Sequence, residues 1–190
     1  EGKSEKLDTL VEIIDEGDFA NEKVIVFSRF RKMIDIIERT LNKKKIKTCR
    51  ITGAETEEGR AKSQKLFQDT ASGVDVILIT SAAAEAVNLQ AARPIIFYDP
   101  PWSAADYLQL LARMIRIGST QDRCFALHLV CKNTIDVRVM QVLNKKMGLV
   151  ESVLGKRIKG EGEDLQQGEL IEVTSELNDL FEALTEDAKG

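Results

Sequence analysis

The chain has 190 residues, 43% hydrophobic and 31% charged, with a formal net charge of −4. That length holds one domain with a real core plus at most a small appendage, and the composition is ordinary for a globular protein. No apolar run approaches the ~18 residues that span a bilayer, no basic-then-apolar leader opens the chain, and three cysteines (Cys49, Cys124, Cys131) without CxxC spacing point to buried thiols in a reduced, intracellular setting.

Residues 4–17 place Leu7, Leu10, Val11, Ile13 and Ile14 at helical spacing and stop at Gly17, which predicts an amphipathic helix. KVIVF at 23–27 is short and β-branched, as suits a strand buried on both faces. The helical period returns over 31–42 through Met33, Ile34, Ile36, Ile37 and Leu41. KTCRIT (47–52) reads as a strand, Gly53 opens a polar turn, and a helix is expected over about 57–70. DVILIT (75–80) and PIIFYD (94–99) read as buried strands, followed by a helix from about 103 to 117, strand CFALHLV (124–130) and a long helix over about 134–153. Strand and helix alternate, with connections too long for hairpins. The expected fold class is therefore α/β, a parallel sheet with helices on both faces. From Lys156 apolar density falls and glycines punctuate the chain, so the expected domains are 1–155 and 156–190. The second is read as a linker (156–172) and a short acidic helix (about 175–184).

Charge is uneven. Residues 23–50 carry ten Lys or Arg against two acids, whereas residues 161–190 carry ten acids against Lys189. The first stretch permits a phosphate-facing surface despite the acidic total, although a solvated helix face explains Lys43 to Lys45 equally well. Gly2-Lys3-Ser4 imitates the end of a phosphate-binding loop but lacks the strand and Gly-rich run before it, so Ser4 is expected as a helix N-cap. His128 is the chain's one histidine and sits in an apolar strand, which makes it a core residue and leaves no His-based triad or metal site. GEGED (160–164) lacks the strand and helix of a dinucleotide fingerprint and reads as linker; no metal site is expected.

The informative stretch is QLLARMIRIG, 109–118. Gln109, Arg113 and Arg116 lie at i, i+4 and i+7, on one face of a helix. Guanidinium groups fork onto phosphate oxygens, so this face could grip a triphosphate; taken alone, the segment also fits a surface helix with two solvated arginines. The spacing matches the QxxGRxxR pattern of motif VI in superfamily 2 ATPases, with Ala112 where the pattern has Gly. Five matches stand in family order along the chain. KVIVFSRF (23–30) is similar to motif IV, ITG (51–53) to motif IVa, TSAAAEAVNLQAA (80–92) to motif V, and DPPW (99–102) with ARMIRIG (112–118) to the DxxW and ARxxRIGQ signatures. Over about residues 5–155 the chain thus resembles the C-terminal helicase lobe, the second RecA-like domain, of Swi/Snf-type ATPases. It departs from them at AAAEAVNL, where eukaryotic remodellers have a Gly-rich segment; with Glu85 and Gln90 this is closer to the bacterial, archaeal or phage branch. Ile115 replaces the usual His and Ser119 the usual Gln.

The resemblance implies a RecA-like sheet and an ATP site, with Mg²⁺, in a cleft between two lobes. The first lobe supplies the P-loop lysine and the acids, and none of those motifs occurs in these residues. By position in the motifs, Arg116 is implied as the arginine finger and Arg113 as a γ-phosphate and interlobe contact, with Gln109, Glu85 and Asn88 supporting the ATP cleft. Ser28, Arg29, Thr52, Thr80 and Ser81 are implied as contacts to the backbone of double-stranded DNA, with turn capping as the alternative for Ser28, Thr52 and Thr80. The implied partners are duplex DNA and the first lobe, around a monomer working in the cytoplasm of a prokaryote or phage host or in a eukaryotic nucleus. The rivals are the second lobe of an RNA helicase or restriction-type translocase, and a non-catalytic α/β interaction domain. The DxxW turn followed by RIG favours Swi/Snf, and retention of Gln109, Arg113 and Arg116 speaks against a domain that lost its motor.

Overall fold

The fold comes from a computed structural model that describes residues 4–17, 19–81, 89–114, 124–154 and 169–173. The five apolar runs form β1 (Val24–Phe27), β2 (Thr48–Ile51), β3 (Val76–Ile79), β4 (Pro94–Phe97) and β5 (Cys124–His128). The helical repeats form α1 (Glu5–Asp15), α2 (Arg31–Lys43), α3 (Glu57–Gln68), α4 (Ala104–Met114) and α5 (Ile135–Leu154). These strands are parallel throughout, in the order β2-β3-β1-β4-β5. Every residue of β1, β3 and β4 is buried, as expected for strands covered on both faces.

Successive side chains of a strand point to opposite faces, so each strand feeds two cores. Ile25, Phe27, Ile77, Ile79, Ile95 and Phe97 pack with Phe67 of α3, Leu110 and Leu111 of α4 and Met140 and Leu143 of α5. Val24, Val26, Val76, Leu78 and Ile96 pack on the other side with Leu10 and Ile14 of α1 and Ile34, Ile37 and Leu41 of α2. The helical apolar stripes read from the sequence are the faces that close these layers.

Two expectations change. Residues 169–173, which take in the end of the expected linker (156–172), form a sixth strand, β6 (Glu169–Val173), antiparallel to β5. The open hydrogen-bonding edge of β5 supplies its partner, and a sequence window cannot display such an edge. The rest of the expected linker and the acidic helix lie outside the described residues. The helix expected over 57–70 ends at Gln68, and Thr70–Ser72 form a short 3-10 turn closed by Gly73 at φ 68°.

The second change concerns charge. Helix α2 begins beside the C-terminal ends of the strands and runs back to their N-terminal ends, which splits the basic stretch. Arg29, Arg31 and Lys32 stand at one edge of the sheet; Lys43, Lys44, Lys45 and Lys47 stand at the other. Lys23, at that second edge, donates to the Val74 carbonyl at 2.7 Å. Arg50 is held by Asp35 at 2.9 Å, Glu38 at 3.0 Å and Glu55 at 3.2 Å. Lys45 also has a backbone task. It sits at φ 65°, in the position that glycine usually takes after a helix, while Ile46 N–H donates to the Leu41 carbonyl and Lys45 N–H to that of Asn42. The ten cations are not one surface.

Candidate functional site at the C-terminal edge of the sheet

Because the five strands are parallel, the residues that follow them arrive at one edge, where open α/β sheets place ligands. A cleft of about 440 Å³ opens there, lined by Arg29, Arg31, Thr52, Gly53, Ala54, Thr80 and Ser81. Four of the five residues expected to contact DNA therefore meet in one place, together with Arg31, which the motifs did not single out.

The fifth, Ser28, is 0% exposed and lies outside that lining. Its hydroxyl donates to Asp99 Oδ2 and accepts from Phe30 N–H at 3.2 Å, so its hydrogen bonds are engaged in fixing the turn after β1 and in tying β1 to the end of β4. Thr52, 1% exposed, is similarly committed. Its hydroxyl donates to Glu55 Oε2 at 2.6 Å and accepts from Ala54 N–H at 3.3 Å, and its own N–H also donates to Glu55. Burial alone would raise the Glu55 carboxyl, but the Thr52 hydroxyl, backbone N–H donors and the nearby Arg50 charge outweigh it and hold it below its ordinary value. No such engagement is seen for exposed Ser81, and Thr80 reaches the cleft from a buried position. Ser4 holds the N-cap position of α1, but its hydroxyl makes no capping hydrogen bond to the helix.

Gln109 and Arg113 stand on α4, both half-buried. The helix is seated by an aromatic cluster in which Phe97 lies 5.2 Å from Tyr107 and stacks on His128 at 4.6 Å between ring centres. Leu89 N–H donates to the Arg113 carbonyl at 3.4 Å, so the end of the motif V-like segment is bonded to the last turn of the helix that carries Gln109 and Arg113. Arg116, Glu85 and Asn88 lie outside the described residues.

His128 is a core residue, with Nε2 3.2 Å from the Tyr107 hydroxyl and Nδ1 buried without a partner. Burial pushes its pKa down to about 3. The unfolded imidazole has an ordinary pKa of about 6.5, so between those values the unfolded chain takes up a proton that the folded chain refuses. Stability contributed by the neutral ring is fully present above about pH 6.5 and falls as pH drops, by up to about 1.4 kcal/mol per unit. Urea midpoints measured at pH 7, 6 and 5 should thus fall by an amount equivalent to about 2 kcal/mol, and His128→Gln should flatten the profile. Parallel profiles for the two proteins would contradict this assignment. Cys49 is also inert at neutral pH, its thiol buried, donating to the Ser63 carbonyl at 3.4 Å, and raised to about 12 by burial.

Residues 5–118 match the model of the helicase conserved C-terminal domain. The chain belongs to that family. This helicase C-terminal lobe is 30% identical over 161 residues to the chromatin-remodeling ATPase INO80 of Arabidopsis thaliana, covering 84% of the chain and 10% of the relative. It is 32% identical over 137 residues to the ATP-dependent DNA helicase DDM1 of the same plant, covering 72% and 18% respectively. The crystal structure of the C-terminal part of the Fun30 ATPase domain superposes on 98% of the lobe and 54% of that chain, with a TM-score of 0.65 at 23% identity, and shares its RecA-like fold. The relatives identify the helicase lobe as Swi/Snf-type, as its motifs implied. It spans less than a fifth of the length of INO80 or DDM1.

Proposed function

We propose that this lobe is the second motor lobe of a double-stranded-DNA-dependent ATPase and translocase. In this reading it supplies backbone contacts to the duplex and, through Arg116, the arginine finger for ATP hydrolysis. The observation that carries the reading is the bonded continuity of the edge. The cleft lined by Arg29, Arg31, Thr80 and Ser81 lies on the same sheet edge that leads into α4, whose last turn is bonded to Leu89.

A motor that steps along any sequence reads phosphate and not bases. The start of α2 suits that task. Its N-cap, Phe30, offers no side-chain cap, its first turn holds no acidic residue, and Arg31 and Lys32 are exposed there. Uncapped N–H groups at the positive end of a helix dipole beside two cations form a seat for a phosphate oxygen. Arg31, Thr80 and Ser81 are proposed as direct contacts, while Ser28 and Thr52 shape the turns that present them. Trp102, exposed at the rim after the Pro100-Pro101 pair, adds an apolar face for sugars.

The ATP site needs the other lobe. As the family resemblance implies, Mg²⁺ would be held by first-lobe acids and the triphosphate. When bound there, ATP with Mg²⁺ supplies the transferring phosphoryl group. Arg113 would contact its γ-phosphate and the facing lobe, Arg116 would meet the charge that grows during transfer, and Gln109, Glu85 and Asn88 would order them. Closing and opening of the interlobe cleft, passed through the Leu89 to Arg113 bond, would shift the phosphate contacts along the duplex. Among the described residues no helix is long and apolar enough to cross a membrane, and the proposed place of work is wherever duplex DNA lies. The branch of the family remains a reading of Glu85 and Gln90.

The test is binding of the 190-residue chain to two duplexes of unrelated sequence across a salt series. With about three phosphates engaged, affinity should fall about 40-fold between 50 and 200 mM salt, alike for both sequences, and Arg31→Ala should lower the salt slope by about one. The chain alone should not turn over ATP, because it lacks the phosphate cradle. Salt-insensitive binding, binding restricted to one sequence, or DNA-stimulated turnover by this chain alone would overturn the reading.

A further inference from the structure

Arg29 lines the cleft, yet its surroundings differ from those of a cation waiting for an anion. Its guanidinium lies over the Trp102 ring, 4.5 Å from the ring centre, and over the Phe30 ring at 4.9 Å. Its Nε is buried with no hydrogen-bond partner. Burial lowers its pKa, with the Asp99 and Asp136 charges acting in the opposite direction. A phosphate-binding guanidinium turns its donor edge outward, since the forked N–H pairs do the binding. This one packs its guanidinium carbon against two rings and leaves its Nε buried without an acceptor.

The rings it touches are themselves unusual. Trp102 is 67% exposed and Phe30 54% exposed, although both are large and apolar. The backbone leading to Trp102 is set by Pro100 and Pro101, which fix φ and restrict the residue before each. Among the described residues, the ring contact of its side chain is with the cation packed against it. An Arg over an exposed aromatic ring is attracted to its electron-rich face, which favours one placement of an indole that would otherwise sample several.

We propose that Arg29 is a positioning residue that braces Trp102 against the rim of the cleft, and that it is not itself a phosphate contact. The inference rests on the duplex-binding reading only for its effect on affinity; the brace stands or falls on the protein alone. It divides the cleft edge into two parts: Arg31 and the α2 N-terminus for phosphate, and a rigid Phe30, Arg29 and Trp102 ledge that presents a preset aromatic face.

Trp102 is the chain's one tryptophan, so intrinsic fluorescence reports on it alone. In Arg29→Gln, acrylamide quenching of Trp102 should rise while the circular dichroism melt stays unchanged. Arg29→Lys keeps the charge but not the flat face, so it should restore little of the protection. On duplex DNA, Arg29→Gln should weaken binding about two- to five-fold with an unchanged salt slope, and the loss should vanish in a Trp102→Ala background. Unchanged quenching in Arg29→Gln overturns the brace. So does a loss that persists beside Trp102→Ala, lowers the salt slope by about one and is rescued by Arg29→Lys, the signature of a direct phosphate contact. Absence of any duplex binding by the unmodified chain would count against the proposed function and leave the fluorescence comparison to decide the role of Arg29.

Discussion

Arg116→Ala in the two-lobed parent is expected to cost about 10³- to 10⁵-fold in ATP turnover, while the fold and duplex affinity stay near those of the unmodified enzyme. A guanidinium that meets charge growing on the transferring phosphoryl group acts chiefly in the transition state, so its loss lowers the rate far more than ground-state binding. Arg116→Lys should fail almost as badly, because a compact ammonium on a differently shaped arm does not reproduce the planar fork. The position has support from its neighbour. Arg113 stands half-buried in the last turn of α4, its carbonyl bonded to Leu89, so the chain enters the Arg116 segment from a fixed point. Turnover, melting temperature and duplex affinity should be measured on one preparation. Near-normal turnover would remove the arginine-finger role, and a parallel collapse of stability would make Arg116 structural.

The second large effect is expected from Phe97→Ala. Phe97 is fully buried, with ring centres 5.4 Å from Phe27, 5.2 Å from Tyr107 and 4.6 Å from His128. Truncation removes three ring contacts at once and leaves a cavity between the sheet and α4, at a cost of about 3–5 kcal/mol. Domains of this size have about 5–15 kcal/mol in total, so the variant should sit close to unfolding at growth temperature. Its urea midpoint should fall sharply with the m-value unchanged. The loss should also reach the site, because Tyr107 seats the helix that carries Gln109 and Arg113. A shift worth less than about 1 kcal/mol would show that the cluster collapses around the gap and is not the rigid seat described above.

The five parallel strands and five helices were legible because each carries its own period. A run such as VIVF, buried on both sides, and a repeat such as that of α2 show their environment in a few residues. What was hidden depends on partners far along the chain. The edge that holds β6 belongs to β5, more than 40 residues earlier. Ser28 and Thr52 were legible as strand-end hydroxyls. The commitment of Ser28 to Asp99, 71 residues away, was not, although the nearer Thr52 to Glu55 pair was open to inspection as a turn. The basic stretch misled for a geometric reason: a 13-residue helix carries its two ends to opposite edges of a sheet, so contiguous charge in sequence becomes separated charge in space. The placement of Arg29 over Trp102 needed the fold, since β1 and the DPPW turn meet only through the β1 to β4 pairing.

That pairing also orders events during synthesis. Within this lobe β1 is made before both strands it pairs with, and in the sheet it lies between β3 and β4, with Ile25 opposite Ile77 on one side and Ile95 on the other. Those partners come 52 and 70 residues later. At about 5–20 residues per second, a nascent chain holds its β-branched VIVF run without either neighbour for several seconds and without the second for up to about 14 s. Such a run, uncharged and free of proline, is the kind that pairs with other chains when left open. Helix α2, complete within 16 residues of Phe27, can cover one of its faces during that wait, so the helix proposed to face the duplex would first serve as a shield for the strand beside it.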